Sequence, residues 1–109
     1  MKNRMSNLEN FEPEKEFFIG IDSDGCVFDT MEVKHKEFFC PNTVKYFGLF
    51  AIAKYVRETW DFVNLYSVTR GMNRFPALIR VIDLLAEREE VAERGVSLPD
   101  MEPLRKWVA

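Results

Sequence analysis

The feature that most limits what this chain can fold into is a run of five residues without a polar side chain, FFIGI at 17–21, which ends directly in Asp22. The run does not alternate, so it does not read as a strand with one wet face. A short continuous apolar run suits a strand covered on both sides, as in a parallel sheet. Such a strand cannot stand alone, because each buried backbone group left without a partner costs about 1–3 kcal/mol. The rest of the 109 residues reads as helix. The expectation is therefore that the sheet is completed by another chain or by sequence following Ala109. The amphipathic segment RKWVA at the chain end favours the second.

Downstream, residues 31–39 read as a short helix stopped by Cys40 and Pro41. Asn42 is a plausible N-cap for a long helix from 43 to about 66. Tyr46, Phe47, Leu49, Phe50, Ala51 and Ile52 leave its first half almost without a polar face, which predicts burial all round. Residues 67–73 are a polar break. A second helix then carries Phe75, Leu78, Ile79, Ile82 and Leu85 at helical spacing, with a charged tail from 87 to 94 stopped by Gly95. Asp100 is placed to cap a last helix. The expected organisation is a polar lead-in at 1–16, a core strand and aspartate loop at 17–30, a helical region at 31–95, and a further helix beginning in 96–109. The two long helices are expected to pack antiparallel.

Three aspartates crowd the end of the apolar run: Asp22, Asp24 and Asp29. Carboxylates this close repel unless a cation or a reaction uses them. An aspartate just after a buried parallel strand sits where open α/β folds place their ligands, and Gly25 lets the backbone turn tightly. A hard cation would make the pair tolerable, since Mg²⁺ takes one or two carboxylates plus phosphate and water. Asp22 could then attack phosphorus and form an aspartyl phosphate. Asp24 could protonate the leaving oxygen and deprotonate the attacking water.

The strand followed by DSDGCVFDT at 22–30 resembles the first motif of the haloacid dehalogenase (HAD) superfamily. The resemblance implies Asp22 as nucleophile and Asp24 as acid/base, with Mg²⁺ held by the Asp22 carboxylate and the Asp24 backbone carbonyl. The second aspartate implies a phosphatase or phosphomutase, because true dehalogenases do not use it as an acid/base. Cys26 stands where the family usually has Thr or Val. One branch of the superfamily inserts a helical cap right after this motif, where the present helices fall. The implied fold is an α/β HAD-like (Rossmannoid) core with an α-helical cap, this chain being mainly α with one N-terminal strand. No later strand ending in Ser or Thr, no matching lysine and no closing acidic pair follow Thr30. The 109-residue chain alone is therefore expected to be inactive, as the N-terminal part of a Mg²⁺-dependent phosphohydrolase of a small phosphorylated metabolite.

Arg70 and Arg74, around Gly71 in the inter-helix break, could offer fork-shaped donors to a phosphate. The plainer reading is a solvated loop. His35 reads as a solvated helix residue, Trp60 and Tyr66 as core, and Asp29 as a helix-start or loop-fixing residue. An acidic turn is the plain reading of the aspartates. An EF-hand loop fails because Gly25 is fourth from Asp22 and the twelfth position is Val33. Net charge is −3, which gives no basic footprint for nucleic acid. No run is long and apolar enough for a membrane span, and the first residues lack a secretory apolar region. With Cys26 and Cys40 as its two cysteines the chain reads as cytoplasmic. The alternatives to hydrolysis are a phosphomutase, or a non-catalytic module that forms a homodimer through its apolar helix faces.

Overall fold

The computed structural model describes residues 10–109, so the part of the polar lead-in at 1–9 lies outside the described residues. The first helix, α1, runs over 31–47 in three sections: an α-helical start at Met31–Val33, a π turn at Lys34–Phe39, and an α-helix at Cys40–Phe47. Pro41 does not stop it. In a regular α-helix its ring would strike the carbonyl four residues back. Here the Cys40 N–H reaches back five residues to the His35 carbonyl, and that widened turn takes the ring in. Asn42 consequently lies inside α1 and caps nothing.

The expected long helix from 43 to 66 is also broken. Gly48 adopts a left-handed φ of +66°, and its N–H and that of Leu49 close the end of α1 on the Lys45 and Val44 carbonyls. Glycine takes this conformation without steric cost. A 3₁₀ turn at Phe50–Ile52 leads into α2, which is α-helical over Ala53–Asp61 and ends in a second π turn, Phe62–Tyr66. The break re-aims the apolar side chains. Leu49 and Ile52 are fully buried, whereas Tyr46 and Phe50 are exposed, so the apolar girth is only partly covered.

Helix α3, Arg74–Ala86, starts where Asn73 accepts a 3.0 Å bond from the Phe75 N–H. It stops short of the charged stretch. A turn at Glu87 and Arg88 intervenes before a separate short helix, α4, Glu89–Glu93. Arg88 ties that turn to α2 through Glu58, at 3.0 Å. The last helix, α5, Glu102–Val108, begins where Asp100 accepts from the Glu102 N–H. An Arg105–Asp83 ion pair holds it on α3, and Trp107 lies edge-on to Phe75 at 5.1 Å.

The core lies between α1, α2 and α3, where Val44, Leu49, Ile52, Val56, Val63, Val81 and Leu85 are buried, with Val91 and Met101 closing one side. Fully burying a side chain of this kind contributes about 1.5–3 kcal/mol. No helix among the described residues is long and apolar enough to cross a membrane.

The expected α/β core is not there. Among the described residues no strand forms, and the one β contact is an isolated bridge between Asp24 and Phe28. Phe17, Phe18, Ile19 and Ile21 are 73–93% exposed instead of covered on both faces. Without a ladder partner among the described residues, burying 17–21 would leave its backbone N–H and C=O groups unpaired, so the run lies in solvent. The predicted N-terminal strand, and with it the α/β assignment, is corrected to a helical domain with an exposed apolar lead.

Candidate functional site

The aspartate loop is built by short-range bonds. The Gly25 N–H donates to the Phe28 carbonyl at 2.8 Å, and the Phe28 and Val27 N–H groups both donate to the Ser23 carbonyl. Gly25 takes φ +73°, which favours glycine, and a Cβ there would crowd the Met31 side chain at 3.0 Å. Asp24 fastens this loop to the start of α1. Its carboxylate accepts from the Thr30 hydroxyl at 3.0 Å and from the Lys34 ammonium at 3.4 Å. These donors, the Thr30 hydroxyl first, hold the Asp24 carboxyl below its ordinary range. Among the described residues, no hydrogen bond or ion pair occupies the Asp22 carboxylate.

Both aspartates border a cavity of about 490 Å³. It is lined by Lys34, His35 and Phe39 of α1, by Asn64 of the second π turn, and by Asn73, Arg74 and Phe75 at the start of α3. Arg74 thus shares a cavity with Asp22 and Asp24, its guanidinium stacked on Phe75 at 5.0 Å. Arg70 does not reach that cavity. It lines a neighbouring one of about 340 Å³ with Asp24, Gly25 and Met31. A polar hollow therefore lies between a carboxylate loop and a guanidinium.

The donor chemistry suits a hard cation. Asp22 offers a carboxylate, and the backbone bonds of the loop fall on Ser23 and Phe28, leaving the Asp24 carbonyl out of them. Two oxygens of this kind match the sparse protein ligation of Mg²⁺, which fills its remaining positions with water and phosphate. No group of three or more His, Cys, Asp or Glu residues with metal-holding geometry occurs among the described residues.

Several residues stand differently from their reading in sequence. His35 is buried, not solvated, and the Trp60 indole N–H donates to its Nδ1 at 3.0 Å. An indole N–H only donates, so Nδ1 is an acceptor and the neutral ring carries its proton on Nε2. Burial, reinforced by the Lys34 charge, holds the His35 pKa below its ordinary value, while Asp61 opposes this. Tyr66 is exposed rather than core, bonded to Lys36 and Glu32. Asp29 takes no part in fastening the loop; the Thr30 hydroxyl is given to Asp24 instead. Burial pushes the Cys40 thiol up to about 11, which removes it as a nucleophile. Thr30 and Lys34 were not singled out by sequence. Their four-residue spacing on one helix face was the available signal.

Comparisons with known protein families, with curated proteins and with solved structures found no match for this chain.

Proposed function

We propose that this chain carries the aspartate loop and the substrate-facing helices of a Mg²⁺-dependent phosphohydrolase of the HAD type, working in the cytoplasm on a small phosphorylated metabolite. The observation that carries this reading is the shared cavity of Asp22, Asp24 and Arg74. Arg74 would take two oxygens of the phosphate through its guanidinium fork. Asp22, free of partners and at the cavity edge, would attack phosphorus, its carboxylate oxygen forming the new bond as the ester oxygen leaves. Asp24 would give that oxygen a proton and later take one from the water that releases phosphate from Asp22. When bound, Mg²⁺ would offset the negative charge shared by carboxylate and phosphate. The hold of Thr30 and Lys34 on Asp24 keeps it ionised, so it would act as an acid only once substrate displaces one of those donors. A mutase would use the same loop and differ in what accepts the phosphate.

The later groups that the resemblance requires are not found after Thr30, so the 109-residue chain is expected to show no turnover by itself. A gene product that supplies those groups is expected to hydrolyse 4-nitrophenyl phosphate only with Mg²⁺. Asp22→Asn should reduce that rate to background, and Asp24→Asn should lower it about 10²- to 10⁴-fold. Full activity in Asp22→Asn would remove Asp22 as the nucleophile.

The exposed apolar segment at 17–21 favours a second reading, a module that associates through apolar surface. Light scattering of the 109-residue chain over a concentration series is expected to show a dimer, lost when Phe18 and Ile19 are both changed to Ser. A concentration-independent monomer in the unaltered chain would discard this reading.

A further inference from the structure

A second cavity of about 420 Å³ adjoins the one that holds the aspartates. The two have His35, Phe39, Asn64, Arg74 and Phe75 in common. Beyond that shared wall their chemistry diverges. The first opens onto Asp22, Asp24 and Lys34, whereas the second runs between Phe47 of α1, Trp60 of α2 and Leu78 of α3. Each cavity lies in the size range of small-molecule sites, which combine apolar walls with a few convergent polar groups.

The apolar half discriminates between kinds of ligand. A sugar or polyol placed there would lose water from its hydroxyls and meet almost no partners, at a cost for each hydroxyl. An aromatic or branched hydrocarbon group would meet Phe47, Trp60 and Leu78 and lose nothing. His35 stands at the division. Its Nδ1 is taken by the Trp60 indole, so any bond it gives a ligand comes from Nε2–H, as one neutral donor. Such a donor suits an uncharged acceptor atom that links a phosphate to an apolar group.

We infer that the two cavities are one bipartite binding site, and that its ligand is an organic phosphate bearing an aryl-sized apolar group rather than a sugar phosphate. The phosphate lies against Arg74 and the aspartate loop, and the apolar group lies against Phe47, Trp60 and Leu78. This ligand class rests on the phosphate-binding reading above and narrows it.

Titration calorimetry of the 109-residue chain with Mg²⁺ tests it with three probes: phenylphosphonate, methylphosphonate and benzyl alcohol. Phenylphosphonate is expected to bind about ten-fold or more tightly than methylphosphonate, in line with burial of a ring. Arg74→Ala should weaken both phosphonates alike. Thr43→Phe, which fills the apolar half from α1, should remove the preference and leave methylphosphonate binding unchanged. Asn42→Trp, at the exposed rim of the same half, serves if Thr43→Phe does not fold. Equal binding of the two phosphonates overturns the inference and leaves the phosphate reading standing. Binding of benzyl alcohol without either phosphonate overturns the phosphate reading and, with it, the ligand class. Binding of none of the three overturns the site itself.

Discussion

Residues 17–21 and residues 77–85 are both rich in large apolar side chains, yet they meet opposite fates. Helix α3 buries Ala77, Ile79, Val81, Ile82 and Leu85, while Phe17, Phe18, Ile19 and Ile21 stand in solvent. The difference lies in the backbone rather than in hydrophobicity. A helix satisfies its own N–H and C=O groups, so its apolar face is free to pack on whatever helix is near. An extended segment needs a neighbour's edge before burial becomes affordable in free energy. Without that edge, solvating its backbone outweighs hiding its side chains.

The contrast can be broken by experiment. Leu85→Ala or Leu49→Ala should destabilise the domain most, by about 2–5 kcal/mol in urea unfolding, because each leaves a cavity in a closed core. A loss under 1 kcal/mol would mean that the helical core is looser than these packed side chains require.

The junction between the regions should respond less. Gly25→Ala is expected to cost about 1–2 kcal/mol, felt in the loop, through its left-handed φ. Faster amide exchange at Val27 and Phe28, with core exchange unchanged, is the expected signature. Uniform loosening of both regions would show that loop and helices are one cooperative unit.

A smaller effect concerns pH. His35 has a folded-state pKa below its unfolded value near 6.5, so the folded form binds its proton less readily. Its contribution to stability is complete above pH 6.5 and is lost as pH falls from there through the depressed folded value. Urea midpoints measured between pH 7.5 and 5 should fall, and His35→Gln should flatten that slope. An unchanged slope in the variant would mean that other groups set it.

Smallest of all should be Phe18→Ala and Ile19→Ala, within about 0.5 kcal/mol in the monomer, as for exposed sites. A penalty matching that of Leu85→Ala would show that 17–21 is covered in solution.

Much of the helical region could be read from the sequence, because capping and punctuation are local. Asn73, Gly95 and Asp100 each mark an observed boundary. Gly25 marks the turn after the aspartates for the same reason. Other features depend on what is not local. Gly48 sits inside an unbroken apolar stretch, so periodicity passes over it although its left-handed backbone ends α1. Pro41 reads as a stop unless the turn before it is widened, and nothing in KHKEFF announces that widening. His35 reads as solvated because its burial depends on Trp60, twenty-five residues away. For the site, sequence named Asp22, Asp24 and Arg74, but not the Lys34 and Thr30 that fix Asp24. The strand was misread because an edge partner is a property of the whole fold.

Each of the two π turns is an α-helix holding one residue more than its register needs. His35 and Phe39 lie in the first and Asn64 in the second, so both surplus turns face the cavities. Deleting one residue from 62–66 would let the ladder close as a plain α-helix, narrowing that turn while the residues on either side keep their register. Asn64 would lose the widened turn that sets it on the cavity wall, while Val56 and Trp60, which lie before the deletion, kept their places. Chain length in two short segments therefore helps set the width of this hollow, alongside the side chains that line it. Length variants there would separate the making of the cavity from the making of the core.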